Sequence, residues 1–434
     1  MADVSSKKGK MYIAIIGTCD TKLDELLYLH EYITGLARHY DASPGSIVPI
    51  LIDIGRAQAS SDDSRVTVSI SSFIPVGKQI KSRHDLIPTI GCALKAHLLH
   101  LAKNGMLHGA LAVGGSCGSS IVAEALQALP IGFPKVLLST MASGDVKPYI
   151  GCTDICVMYS VVDIAGLNTL LKGVLQNAAA AIVGMVLFKG LTAAIKEPLP
   201  RKKVAMTMFG ITTPACNAAR SVLEQNDCEV YVFHATGSGG MAMEKLILDN
   251  KFDGVIDLTT TELADEAFGG VLSAGSERLK GAAKMGIPAI ISLGALDCIN
   301  FGPRDTLPER YECRRIHVHN SAVTLIRTSI EDNRFLGEVI CDRLKGNAVA
   351  GSEHRLSVWL PLKSVSSISE EGGVFRDGEA DAALYGSIKM GLQGSKIPVV
   401  QKELDINDPQ FAEGMAHALL EMMYADKNQE PEDR

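Results

Sequence analysis

The sequence predicts an α/β fold made of two Rossmann-like domains with mainly parallel sheets. Three observations carry this. Short apolar runs closed by Gly, Thr or Ser alternate with helical patterns, the mark of βαβ units. The pattern runs twice, Ile131-Gly-Phe-Pro-Lys-Val-Leu-Leu-Ser139 being echoed by Met285-Gly-Ile-Pro-Ala-Ile-Ile-Ser292. The 434 residues, 47% hydrophobic and 21% charged, suffice for two buried cores. A proline-bearing, charged stretch at 196–203 reads as the hinge between a first domain at 1–197 and a second domain at 204–434.

In the first half, Tyr12 to Gly17 is a strand, followed by the turn Thr18-Cys-Asp-Thr-Lys22 and an amphipathic helix with Leu23, Leu26, Leu27 and Ile33 on one side. Ile47 to Ile54 is a second strand, and a helix starts at about Leu86. Ala110 to Val113 is a strand, and Gly114 to Ser120 forms a turn opening a helix over Ile121 to Leu129. Strands at 134–140 and 155–159 and a long helix at 164–191 complete this half. In the second half, strands are expected at 204–210, 229–234, 254–258, 288–294, 355–360 and 397–401. A last helix is expected at 408–424.

Composition bounds the function. With 42 Lys and Arg against 49 Asp and Glu, the net charge is −7, which argues against a dedicated nucleic-acid binder. Aromatics are only 5%, whereas 41 glycines point to tight turns and close approach of backbone to a ligand. Ten cysteines scattered through apolar runs read as buried thiols of a reducing cytoplasm, and Cys152 and Cys156 lack a second pair for zinc. The longest apolar helical stretch, Ala178 to Phe188, falls short of the ~18 residues of a membrane span. No membrane partner is expected.

Ligands of open parallel sheets bind beyond the carboxyl ends of the strands, so the polar turns there carry the functional reading. Gly114, Gly115, Ser116, Cys117, Gly118 and Ser119 join a strand to a helix N-terminus, whose free amides and dipole suit a phosphate. The string is neither a Walker motif nor GxGxxG, which disfavours a dinucleotide oxidoreductase. After Gly17, Thr18 and Thr21 offer hydroxyls to a phosphate, while Asp20 or Thr21 equally suits a helix cap. Asp53, followed by Gly55, stands where such folds place an acid on ribose hydroxyls. Thr140, Ser143 and Gly144 add hydroxyls and a turn at the same edge, and Arg83 is a phosphate partner or a surface residue.

In the second half, His234 to Gly240 reads as another anion nest, with Glu262 and Asp297 on neighbouring turns. His234, Glu262 and Asp297 are candidates for acid–base work or for a carboxylate-bound Mg²⁺. Thr259 to Glu262 also has the spacing of a capping box. His317 and His319 would share a strand face, but two imidazoles alone do not define a metal site.

Several strings together resemble a known family. They are Ile16-Gly-Thr-Cys-Asp-Thr-Lys-Leu-Asp-Glu-Leu26, the Gly114–Ser120 segment, Ser139-Thr-Met-Ala-Ser-Gly144, Val161-Val-Asp-Ile-Ala-Gly-Leu-Asn168, Phe233-His-Ala-Thr-Gly-Ser-Gly-Gly240, Asp257-Leu-Thr-Thr-Thr-Glu262 and Gly294-Ala-Leu-Asp-Cys-Ile-Asn-Phe-Gly-Pro303. From about Met11 onwards the chain is similar to the Tm-1-like ATP-binding family, which comprises the amino-terminal inhibitory domain of a tomato mosaic virus resistance protein and uncharacterised microbial proteins. The resemblance implies two α/β domains, ATP bound in the first, and a dimeric assembly, a homodimer; Mg²⁺ is expected to accompany the ATP. It implies that the nucleotide lies against Thr18, Asp20, Thr21, the Asp53–Gly55 strand end, Arg83 and the Gly114–Ser120 segment. One departure is Cys117, where the plant protein has glycine. The resemblance assigns no reaction. Two uses of ATP stay open, an enzyme acting on a small acid or sugar derivative in a second-domain pocket, and a protein-interaction module that ATP stabilises without turnover.

Overall fold

The computed structural model describes residues 9–40, 47–55, 63–74, 83–192 and 201–425. The chain divides into two compact units, Met1–Glu197 and Pro198–Arg434. Residues 196–200 of the expected hinge lie outside the described residues.

The first unit runs β1 (Met11–Gly17), α1 (Cys19–Tyr40), β2 (Ile47–Asp53), β3 (Val66–Ser69), α2 (Arg83–Lys103), β4 (Gly109–Gly114), α3 (Ser116–Ala128), β5 (Lys135–Ser139), α4 (Lys147–Ile150), β6 (Cys156–Tyr159) and α5 (Thr169–Thr192). Its six strands lie in the order β3-β2-β1-β4-β5-β6, all parallel. Alternate side chains of each strand feed opposite faces, as the two-residue period of a strand demands. Ile13 and Ile15 pack under α1 and α5, with Leu26, Leu29, Leu175 and Ile182. Ala14 and Ile16 pack under α2 and α3, with Leu94, Leu98, Ile121 and Ala125.

The second unit begins with β7 (Lys202–Met208), α6 (Thr213–Gln225), β8 (Cys228–His234), α7 (Ser238–Leu248), β9 (Gly254–Thr259), α8 (Glu262–Phe268), α9 (Gly281–Met285) and β10 (Ala289–Gly294). It continues with β11 (Cys298–Phe301), β12 (Ile316–Asn320), β13 (Val323–Arg327), α10 (Ile330–Asn347), β14 (Leu356–Pro361), α11 (Gly378–Leu392), β15 (Val399–Lys402) and α12 (Pro409–Ala425). Six parallel strands form the sheet β15-β14-β10-β9-β7-β8. A separate antiparallel sheet, β11-β13-β12, was not foreseen, nor were α10 and α11.

The expected architecture of two Rossmann-like parallel-sheet units is therefore present, with three local differences. Helix α3 starts at Ser116 instead of Ile121, because Gly115 acts as its N-cap and the Ser- and Gly-rich string coils as the first helical turn. Helix α5 starts at Thr169, five residues after the expected Ile164. The third concerns apolar length. Among the described residues one helix, Thr169–Lys189, is long and apolar enough to cross a membrane by length and composition. Its few polar residues had interrupted the apolar run in the sequence. Leu171, Leu175, Ala178, Ile182 and Val186 of this helix are buried against the sheet.

Candidate functional site

Strand order locates the site of the first unit. Helix α1 leaves β1 towards one face of the sheet, whereas α3 leaves the adjacent β4 towards the other. The two departures open a crevice at the carboxyl ends of β1 and β4, the switch point at which ligands enter doubly wound folds. A cavity of about 410 Å³ lies there, lined by Thr18, Asp20, Thr21, Lys22, Ile54, Gly55, Gly115, Ser116, Cys117, Gly118 and Ile121.

One wall is the N-terminus of α3. The first helical bond within this turn runs from Ser119 N to Gly115 O at 2.8 Å, so the amides of Ser116, Cys117 and Gly118 come before it. Those three amides have no partner among the described residues, leaving donors and the positive dipole end facing the cavity. The glycines divide by role. A Cβ on Gly114 would lie 3.1 Å from Gly118 Cα, so Gly114 permits strand and helix to meet. Gly115 is open, since a Cβ there would meet only Thr140 Oγ1, at 3.6 Å. A Cβ on Gly17 would fall 2.7 Å from Leu26, so Gly17 serves packing of α1. Ser119 is buried, its hydroxyl 2.6 Å from Ser139 Oγ, and pins α3 to β5.

The opposite wall is acidic. Asp53, expected to face a ribose, is only 1% exposed. Its Oδ1 accepts from Cys19 N at 2.9 Å and Gly55 N at 2.8 Å, tying the turn after β2 to the start of α1. Burial and then the neighbouring Asp53 push the Cys19 thiol up to about 12. Asp20 is the carboxylate that lines the cavity, exposed and beside Gly55. Thr18 and Thr21 Oγ1 atoms pair at 2.8 Å on the same rim. Lys22 also lines the cavity, but its Nζ donates to Ile164 O at 2.7 Å, and its φ of −138° breaks the first turn of α1.

None of the expected residues Thr140, Ser143 and Gly144 lines the cavity: Thr140 stands beside Gly115, whereas Ser143 and Gly144 are exposed on the next turn. Arg83 opens α2, and its side chain lies outside the described residues. Lys22, Ile54 and Ile121 are cavity residues the sequence reading missed. Position after β1 and β2 was the available signal for the first two. For Ile121, the corrected start of α3 was needed.

The second unit differs in a way that corrects the reading of its nest. The N-terminus of α7 is already filled. Glu262 Oε1 accepts from Gly237 N at 2.6 Å and Gly240 N at 3.0 Å. Glu262 Oε2 accepts from Arg278 Nε at 2.7 Å. Arg278 is wholly buried and also pairs with Asp257 and Glu244. Glu262 forms no capping box, because α8 has Thr261 as N-cap without a side-chain cap bond. Burial raises the pKa of both Glu262 and Glu244, opposed by Arg278.

The other two members of the acid–base trio lie apart from this network. Asp297 is 1% exposed, its Oδ2 accepting from Ser366 Oγ at 2.6 Å. His234 is exposed, its ring 5.6 Å from that of Phe209. His234, Glu262 and Asp297 share no hydrogen bond, so no base–nucleophile pair is assembled from them among the described residues. His317 and His319 lie on β12 with ring centroids 6.3 Å apart. The described residues contain no group of three or more side chains placed to hold a metal.

Comparison with known proteins bears out the resemblance. Residues 11–190 match the N-terminal domain of the uncharacterised protein family UPF0261, and residues 201–423 match its C-terminal domain. A UPF0261 protein of Clostridium tetani is 41% identical over 95% of this chain and 98% of its own length. The ToMV resistance protein Tm-1(GCR237) of Solanum lycopersicum is 36% identical over 97% of this chain, which spans 57% of that protein. Among solved structures, a UDP-N-acetylglucosamine 2-epimerase from Rickettsia bellii covers 65% of this chain and 78% of its own at 9% identity and a TM-score of 0.21, too loose a likeness to bear on function.

Proposed function

The chain belongs to the UPF0261 family through both of its domains, and from that premise we propose that it is a nucleotide-binding protein that takes ATP in its first unit. The open α3 N-terminus at the β1–β4 switch point carries this reading. Its cavity, about 410 Å³, falls within the roughly 300–1,000 Å³ of small-molecule sites. Backbone amides neutralise part of the triphosphate, and Mg²⁺ arriving with it neutralises more, which suits a chain of net charge −7. A binding module is favoured over an enzyme with a second substrate in the other unit, because the nest expected there holds Glu262. Five buried thiols, Cys19, Cys216, Cys228, Cys298 and Cys341, suit a reducing cytoplasm.

The test uses Cys117, a half-buried thiol on the cavity wall. Alkylation by iodoacetamide, followed site by site by mass spectrometry, is expected to slow at Cys117 by about tenfold when Mg-ATP stands at ten times its Kd. The exposed Cys92 and Cys313 serve as controls and should label unchanged. Undiminished labelling of Cys117 at millimolar Mg-ATP would sink the reading.

The homodimer has its own support in α5. Leu170, Ala180, Met185 and Phe188 are exposed on the side of α5 away from the sheet. Gly173 and Gly184 on this helix face open space. Small residues without charge allow a like helix to approach closely, and such a face is complementary to itself about a two-fold axis. Sedimentation at micromolar concentration should give a dimer, and Met185→Glu a monomer. A monomeric native chain would overturn the assignment.

A further inference from the structure

We propose that Asp20 reads the sugar of the bound nucleotide, a part that the Rossmann pattern gives to the acid at the end of β2. The proposal rests on the nucleotide reading above and adds the ligand's orientation. In the usual arrangement, the pyrophosphate sits on the helix that follows the first strand. Here that helix, α1, is closed to it. Asp53 already accepts from the Cys19 amide, and Asp20 adds a second carboxylate to the first turn. A phosphate placed there would face two anions at short range, whereas the α3 amides across the cavity are free and unopposed.

The cavity thus has free backbone donors on the β4 side, whereas the β1 side carries the Asp20 carboxylate, the mutually paired Thr18 and Thr21 hydroxyls and Lys22, whose ammonium is held by Ile164 O. A carboxylate accepts hydrogen bonds and donates none, so the ligand must bring donors to it. The vicinal hydroxyls of a ribose present two donors to the two oxygens of one carboxylate. Asp53 is poorly placed to serve them: it is 1% exposed, its Oδ1 is held by the Cys19 and Gly55 amides, and its Oδ2, without a partner among the described residues, is sealed from solvent. Asp20 is better placed. It is exposed on the cavity wall, and its side chain has no hydrogen-bond or ion-pair partner among the described residues. Gly55 makes the placement possible, since a Cβ there would lie 3.0 Å from Asp20 Cγ.

Affinities of the full chain for ATP, 2′-deoxyATP, 3′-deoxyATP and tripolyphosphate, measured by calorimetry with and without Mg²⁺, test this. The native chain should prefer ATP to either deoxynucleotide by ~10- to 100-fold, the loss of a hydrogen bond to a charged acceptor. Asp20→Ala should bind all three nucleotides alike, at about the native affinity for 2′-deoxyATP, and should hold tripolyphosphate at least as well as the native chain. Asp20→Asn, of equal size, repeats the measurement should the alanine variant melt early. Three results would overturn the proposal: a native chain indifferent to the sugar, a variant that loses ATP and 2′-deoxyATP equally, or a loss seen only with Mg²⁺, which would make Asp20 a cation ligand. A native chain that binds neither ATP nor tripolyphosphate would instead remove the nucleotide reading itself.

Discussion

Replacing Arg278 by methionine is expected to cost the second unit about 3–5 kcal/mol, the range for removing one partner of a buried ion pair. That is a large part of the ~5–15 kcal/mol that holds a typical domain folded. Arg278 is fully buried and pairs with Asp257, Glu262 and Glu244. Removal leaves three buried carboxylates without their cation, though each keeps donors. Thr207 Oγ1 donates to Asp257 at 2.8 Å, the Gly281 amide to Glu244 at 2.7 Å and the Gly237 amide to Glu262 at 2.6 Å. The melting transition of the second unit should fall by roughly 10 °C or more. The pH dependence gives a second signature. Burial already raises Glu244 and Glu262, and loss of the guanidinium raises them further. A carboxyl whose folded pKa exceeds its unfolded one stabilises the fold below the unfolded value and loses that contribution as pH rises through the folded value. The variant should therefore recover part of its deficit on acidification from pH 8 to pH 5. A variant as stable as the native chain at pH 8 would show that the cluster is not the keystone of this unit.

The sequence made the parallel strands legible because each is a short apolar run closed by Gly, Thr or Ser, a signal that needs no partner. What stayed hidden depended on contacts between distant residues. Glu262 and Arg278 are 16 positions apart in segments of ordinary appearance, and only the fold brings both to the N-terminus of α7. Gly239 and Gly240 looked like a nest for a ligand. A Cβ on Gly240 would fall 2.0 Å from Glu262 Oε2, so this glycine makes room for the chain's own carboxylate. In the first unit, both Asp20 and Asp53 end a strand–turn pattern, and the pattern favoured Asp53. The amides of Cys19 and Gly55 draw Asp53 inside and leave Asp20 on the wall. The alternation of His317 and His319 was only compatible with a strand, and the pairing of β13 with β11 is non-local and left no local mark. Both units thus carry a glycine-rich strand–helix turn. The first keeps its helix N-terminus open to a cavity, and the second closes its own with a buried carboxylate.

Gly115→Val is expected to leave the fold almost intact and to weaken nucleotide binding by ~100-fold or more. Gly115 has φ −86° and ψ −160°, an extended conformation open to any residue. A Cβ there meets only Thr140 Oγ1, at an ordinary 3.6 Å. The stability cost is then that of a poorer N-cap, about 1 kcal/mol. Binding fares differently, because the added side chain stands in front of the α3 amides that line the cavity. Two hydrogen bonds to a phosphate, each worth about 1.5 kcal/mol or more, correspond to roughly 100-fold when lost together. Gly114→Ala is the contrasting variant. Its Cβ would lie 3.1 Å from Gly118 Cα and 3.2 Å from Ser119 N, backbone that cannot turn aside as a side chain can. That change should lower the melting temperature of the first unit before any ligand is added. Calorimetric titration and thermal melting of the two variants separate the requirements of strand–helix packing from those of the ligand. Native affinity in Gly115→Val would place the phosphates away from the α3 N-terminus, and the orientation argued for Asp20 would fall with it.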